Sequence, residues 1–413
     1  MKDTTTLNRR ITVIDALRGF ALLGVVLVHM NQHYSYYSMG PFLPHEPILT
    51  QWDESATWLV WNVMLGRFIN IFAFLFGMSF FIQMDRAKQK GMSFGGRFLW
   101  RMVILFAIGL FGTCFYSGDI LSIYAVFGVL MLFLNKFKNW VLILLAVLLL
   151  AGAPRLVMIG YNKLTAPAQT EQVAQAPSRP RTPSVEQQEP PKPSFWRTAK
   201  ENLTSGTEGK LNYQFNAGNR GYITLAIFML GLVVGRTRFF ESVHINKRRN
   251  WILLGIFIGG VLLTNWIVTL IPPQESMWRV MRQGGTPSVA LMTAQALNDV
   301  NMVLSSAVIA MAFIVLYQMR GVGKVLDVLS PYGRMGLTNY VSQSIIGALL
   351  FAMWAFGDKF GAWHSAEILL LGLGVYAVQV IVSKVWLSHF KYGPLEWLWR
   401  SLTYFKQQPF LKK

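Results

Sequence analysis

Residues 13–30 read VIDALRGFALLGVVLVHM. The run is apolar except for Asp15 and Arg18 near its start and His29 near its end. Its length is close to the ~20 residues that cross a bilayer core of ~30 Å. Nine further apolar runs follow, at 57–82, 98–116, 119–134, 138–159, 220–235, 250–271, 299–318, 336–356 and 366–389. Over the 413 residues, 53% are hydrophobic and 14% charged, and the mean hydropathy is +0.39. Soluble domains carry about 25% charged residues, and one soluble core of this size cannot hide so much apolar surface. The chain therefore reads as an all-α integral membrane protein with about ten transmembrane helices. No small-residue cleavage site follows Met30, so the first run reads as an uncleaved anchor, not a signal peptide.

The formal charge of +19 sits mainly in short connectors between apolar runs. Anionic lipid headgroups are the expected partner, and there is no nucleic-acid motif. Placing the N-terminus in the cytosol puts Arg9, Arg10, Arg86, Lys88, Lys90, Arg97, Arg101, Lys136, Lys138, Arg236, Arg238, Lys247, Arg320, Arg334, Lys391 and Arg400 inside. The short outer loops then hold only Arg279, Arg282 and Lys359. That asymmetry predicts cytosolic N- and C-termini. Residues 161–218 carry seven prolines between 167 and 193 and read as a long Pro-rich, disordered extracytoplasmic linker between helices 5 and 6. Residues 1–160 form a first five-helix half. Residues 219–413 form a second, ending in a cytosolic amphipathic segment in which Glu396 and Arg400 are spaced to pair. The single cysteine, Cys114, excludes disulfides within the chain and Cys-based metal sites. His33 and His45 share the first outer loop with Glu46, Asp53 and Glu54, without metal-ligand spacing, so no metal is expected.

Arg18 and His29 are eleven positions apart. Eleven helical steps return them to within about 20° of one face, ~16 Å apart along the axis. Ionisable groups inside membrane spans are costly and point to function. The plainer alternative pairs Arg18 with Asp15 at i,i+3 and leaves His29 in the outer headgroup zone. Asp119 lies in the tight Ser117-Gly118-Asp119 connector, where it suits either a turn or the orientation of an imidazole. Arg67 stands either mid-membrane or, if its span begins near Gly66, at the outer interface. There it suits pairing with Asp53 or Asp119, or contact with an anionic acceptor. Asn339 and Gln343 share a helix face, suited first to bridging helices and second to lining a cavity.

The opening Arg10-Ile11-Thr12-Val13-Ile14-Asp15-Ala16-Leu17-Arg18-Gly19 resembles that of the DUF418, or YeiB-like, membrane proteins. So do Phe74-Leu75-Phe76-Gly77, Gly118-Asp119-Ile120-Leu121 with Tyr124, Gly333-Arg334-Met335 with Thr338, Asn339, Tyr340 and Gln343, and Gly393-Pro394-Leu395-Glu396-Trp397 through Arg400. The blocks keep the family's order over nearly the whole chain. That family resembles the transmembrane acyltransferases, which include the acyltransferase-3 and heparan-alpha-glucosaminide N-acetyltransferase-like proteins. Acyltransferase-3 proteins carry an Arg-x10-His motif that Arg18 and His29 match. Many YeiB-like proteins have Asn where His29 stands, and often a His near the position of Gly112.

The resemblance implies a multi-pass protein of the bacterial plasma (inner) membrane. It would move an acyl group, acetyl before others, from cytosolic acyl-CoA to an extracytoplasmic glycan, lipid or small molecule. Arg18 would meet the donor phosphates. His29 would act as base, and Asp119 would orient it. This reading expects a polar passage between Arg18 and His29. The alternatives are a transporter or flippase, and an envelope scaffold or sensor acting through the Pro-rich loop. A homodimer is compatible with all three.

Overall fold

The computed structural model describes residues 12–34, 50–157, 160, 193–282, 285 and 287–412. The N-terminal cations Arg9 and Arg10, the His45-Glu46 pair and the proline-dense stretch 161–192 lie outside the described residues. Among the described residues the chain is helical, with one isolated β-bridge between Phe390 and Leu411. The helices that carry the argument are α1 (Thr12–Asn31), α2 (Gln51–Leu59), α3 (Arg67–Gln89), α4 (Gly95–Phe115), α5 (Leu121–Leu134), α6 (Asn139–Leu150), α7 (Phe195–Leu203), α8 (Ser205–Asn212), α9 (Arg220–Arg236), α10 (Lys247–Thr269), α11 (Val289–Tyr317), α12 (Ser330–Arg334), α13 (Gly336–Phe351), α14 (Ser365–His389) and α15 (Pro394–Tyr404).

Each of the ten apolar runs overlaps at least one helix. Six helical runs are long and apolar enough to cross a membrane: Thr12–Asn31, Gln51–Gln89, Gly95–Phe115, Lys247–Thr269, Val289–Tyr317 and Ser365–His389. A seventh arises if α7 to α9, bent by 64°, is taken as one broken span. The protein is thus a multi-pass membrane protein. The other four of the about ten expected spans correspond to shorter helices of 12 to 17 residues, α5, α6, α9 and α13. The run at 138–159 stops after 12 helical residues at Gly152, whose φ of +84° is a left-handed helix end. Helix resumes at Ala153. The run at 57–82 is broken by a π-helical turn, Val60–Met64, and by Gly66 at φ +77°. Arg67 therefore opens α3 and does not sit in mid-helix.

The linker reading of 161–218 is corrected at its end. Residues 195–212 form α7 and α8, and Tyr213–Ala217 adds a π-helical turn. Prolines stop at Pro193, and Ser194 caps α7 by accepting from the Arg197 amide.

Helix α1 is the hub, buried along most of its length and packed against α3, α12, α13 and α14. Glycines make the closest crossings. A methyl group at Gly333 would overlap the carbonyl of Asp15, and one at Gly77 would overlap the backbone of Phe228. Gly231 meets the Phe74 carbonyl in the same way, so α3 and α9 approach backbone to backbone. Small residues drive such packing where lipid removes the usual hydrophobic force. Outermost lies α10, packed mainly on α11 and exposing Trp251, Ile256, Leu262 and Trp266.

The C-terminal segment also differs from expectation. Glu396 does not pair with Arg400. It turns inward and accepts from the amides of Leu337 (2.7 Å) and Thr338 (3.1 Å) and from the Thr338 hydroxyl (2.6 Å). It thereby caps α13 from another element, satisfying amides a helix start leaves free. The Arg400 guanidinium instead lies over the rings of Tyr392 and Tyr404.

Candidate functional site

The two ends of α1 open on two different cavities. Arg18 donates to Asp15 Oδ1 (3.1 Å), to Ser79 Oγ (3.2 Å) and to the Gly333 carbonyl (3.4 Å). The pairing with Asp15 is the plain i,i+3 contact, yet the Arg18 side chain remains 23% exposed. It faces a cavity of about 650 Å³ that also carries Arg86, Lys90, Arg97, Arg101 and Arg400. Asp15, Asp85 and Glu241 are its acidic members. Arg101 is held over the Trp399 ring at 3.7 Å, and the Trp399 indole donates to the Arg101 carbonyl at 2.9 Å. α15 thus closes one wall of this basic chamber.

His29 lines a smaller cavity of about 130 Å³ at the other end of α1. Tyrosine rings surround the imidazole: Tyr116 at 4.8 Å, Tyr34 at 5.4 Å and Tyr340 at 6.5 Å between centroids. Two buried cations line the same space, Lys210 from α8 and Arg220 from the first turn of α9. Lys210 donates to the Asp119 main-chain carbonyl (3.2 Å) and to Ser122 Oγ (3.4 Å). Arg220 donates to Asn70 Oδ1 (2.9 Å) and lies on Met302 Sδ (2.8 Å).

Asp119 is a turn residue first. Its amide donates to the Tyr116 carbonyl (3.1 Å), and its Oδ1 accepts from the Leu121 amide (3.0 Å). Its Oδ2 faces α4, where a Cβ at Gly112 would stand 2.8 Å away. His29 and Asp119 share no hydrogen bond among the described residues. Gly112 leaves the room that this carboxylate occupies.

Arg67 donates to the Leu65 carbonyl (3.2 Å), and among the described residues no carboxylate lies within ion-pair distance of it. Asp53 is engaged elsewhere, capping α2 with Thr50 and accepting from the Ala366 amide (3.0 Å). Asn339 and Gln343 bridge helices. Asn339 donates to the Tyr332 carbonyl and to Ser383, and Gln343 donates to the Tyr332 hydroxyl and to Gln379. Neither lines the two cavities; Tyr340, on the same helix, does.

Among the described residues, the cavities at Arg18 and His29 do not join into the expected polar passage. The two cavities share no lining residue. Between them α1 places the fully buried Leu22, and α3 places Phe72 and Phe76. Phe72 stacks on Tyr124 and Tyr340, and Phe76 stacks on Phe228. On α3 the cavities end at Ile69 and Ser79, a gap of ~15 Å at helical rise.

Lys210 and Arg220 escaped the sequence reading for two reasons. Lys210 fell inside the presumed linker, and Arg220 is the first residue of the apolar run at 220–235 and was not singled out. The signal that marks them is the break in proline content after Pro193, followed by a helix-compatible stretch leading straight into an apolar run.

Residues 234–406 match the DUF418 family, described as a protein of unknown function. The whole chain is 28% identical to an uncharacterized 39.9 kDa protein from an amylase 3′ region of Bacillus acidopullulyticus, covering 99% of that protein. It is 28% identical to YxaH of Bacillus subtilis over 99% of this chain and 98% of YxaH. It is 24% identical to YeiB of Escherichia coli over 98% and 99%. This chain is therefore similar to the DUF418 family over residues 234–406, and from end to end to the YeiB and YxaH proteins.

Proposed function

We propose that this protein is an acyltransferase of the bacterial inner membrane that uses a cytosolic acyl-CoA, acetyl-CoA before others, to modify an extracytoplasmic acceptor. One observation carries the reading: a basic chamber at Arg18 and a smaller chamber at His29 stand at opposite ends of one helix. The clustering of Arg86, Lys90, Arg97, Arg101 and Arg400 at the Arg18 end supports a cytosolic orientation for that end. It also supplies the charge that donor phosphates need. The same clustering favours cytosolic termini in a topology of about ten crossings, four of them by helices of 12 to 17 residues.

At the other chamber, neutral His29 takes the proton of the acceptor hydroxyl or amine as that atom attacks the thioester carbonyl. The C–S bond then breaks, and the CoA thiolate leaves with a proton from the imidazolium. The closed layer at Leu22, Phe72 and Phe76 weighs against this route as it stands, so transfer requires that layer to part.

That same layer favours a second reading, a transporter with two chambers separated by an apolar gate. The experiment is thioester consumption by purified protein in nanodiscs with radiolabelled acetyl-CoA, comparing wild type with His29→Ala. CoA release that falls about 10²–10⁴-fold in the variant supports the transferase. Absence of turnover with a panel of acyl donors and a folded protein transfers the assignment to transport.

A further inference from the structure

The chamber at His29 holds a charge arrangement that neither reading accounts for. Lys210 is 4% exposed and Arg220 is 9% exposed, and both reach the same small cavity. Their hydrogen-bond partners are neutral: a main-chain carbonyl and a hydroxyl for Lys210, an amide oxygen, a main-chain carbonyl and a thioether for Arg220. Among the described residues no carboxylate lies within ion-pair distance of either. The two carboxylates that feel these cations are turned elsewhere. Asp119 faces Gly112, and Asp299 pairs with Arg155 at 2.7 Å. Asp119 and Asp299 thus act on the two cations only from beyond ion-pair distance, among the described residues, and buried cations that lack a direct counter-ion are costly, so two of them lining one cavity mark the place of an anion.

The cavity also offers unused neutral groups. Gln214 is 8% exposed, and its Oε1 has no hydrogen-bond partner among the described residues. The Oε1 of Gln32, across the cavity, is in the same condition. Amide oxygens accept from hydroxyls, so these two groups suit a ligand that carries hydroxyls besides its charge. A cavity of about 130 Å³ suits a compact oxyanion of a few carbons and excludes a whole glycan.

We infer that the chamber between Lys210 and Arg220 binds a small hydroxylated oxyanion, a phosphate or carboxylate bearing at least one hydroxyl, with that hydroxyl presented on the side of His29. The inference deepens the proposed function by naming the substrate class of the outer site, and it holds whether that substrate is acylated or carried. The anion has two sources, a soluble phosphate ester or the headgroup of an anionic lipid.

The test is equilibrium dialysis of the full chain, in phosphatidylcholine nanodiscs, against radiolabelled glycerol 3-phosphate. Saturable binding is expected, with no competition by glycerol. Lys210→Gln and Arg220→Gln should each weaken it about tenfold, the loss of one charge-assisted hydrogen bond. Lys247→Gln, at an exposed cation, should leave it unchanged. Because Arg220 also ties α9 to α3, a second measurement uses wild type alone. Glycerol 3-phosphate should raise its melting temperature above that seen in sodium chloride of equal ionic strength.

Nanodiscs containing phosphatidylglycerol separate the sources. Weaker binding of the soluble probe there, relieved in Lys210→Gln, assigns the site to a lipid headgroup; unchanged binding assigns it to a soluble ester. No saturable binding of the probe and no melting shift would overturn the inference. So would binding that Lys210→Gln and Lys247→Gln reduce equally. Thioester turnover is measured separately, so failure here leaves the transferase assignment to its own experiment.

Discussion

At the scale of single residues, the surroundings of the His29 chamber depend on what is missing as much as on what is present. Gly112 is an example: any side chain there meets the Asp119 carboxylate at 2.8 Å or less. Gly112→Val should therefore force the α4–α5 connector apart and cost ~1–3 kcal/mol, seen as a lowered melting temperature in detergent. An unaltered melt would mean that the carboxylate has another place to go. The spacing of Arg18 and His29 was legible in the sequence, because helical periodicity alone puts positions eleven apart on one face. What Asp119 does was not. Its role depends on which helix its free oxygen meets, and α4 reaches it only in the folded chain.

At the scale of elements, two contacts between distant segments stand out. Arg155, in the turn of helix after Gly152, pairs with Asp299 of α11, and both side chains are buried. Removing one partner strands the other: Asp299→Asn or Arg155→Met should each destabilise by ~3–5 kcal/mol, whereas Arg155→Met with Asp299→Leu should recover most of the loss. A double variant no better than either single one would show that the pair is not the unit that matters. The second contact is Glu396 on the start of α13. Glu396→Ala leaves three donors without their acceptor and should cost ~2 kcal/mol or more.

Burial holds the Glu396 carboxyl above the usual carboxylate value. A raised value in the folded state means its net contribution is greatest at low pH and declines as pH climbs through that raised value. Unfolding of wild type and Glu396→Gln, followed from pH 4 upward, should show that decline in wild type only. Hydropathy and i,i+4 spacing placed Glu396 beside Arg400 on a surface helix. They carry no information on a carboxylate reaching amides some sixty positions earlier in the chain.

At the scale of the whole molecule, the two chambers and the apolar layer between them make an accessibility pattern. In a Cys114→Ser background, Gln32→Cys should react with a membrane-impermeant thiol reagent from the outer side and Ser79→Cys from the cytosolic side. Leu22→Cys should react from neither. Labelling of Leu22→Cys without substrate would overturn the closed layer, and exchanged sides for Gln32→Cys and Ser79→Cys would invert the topology. The membrane class and the helix-forming runs were determined by the sequence itself, because transfer of apolar residues into lipid adds up locally along each run. The two ionisable ends of α1 were legible in the same local way, whereas its central place among the helices was not. Only the tertiary structure decided which runs were cut short, at Gly152 and Gly66. It alone folded 195–217 back over the membrane domain and brought Lys210 and Arg220 into one chamber with His29. Burying a cation costs or contributes according to what surrounds it, and those surroundings come from residues 29, 116, 210, 220 and 340, which only the packed helices bring together.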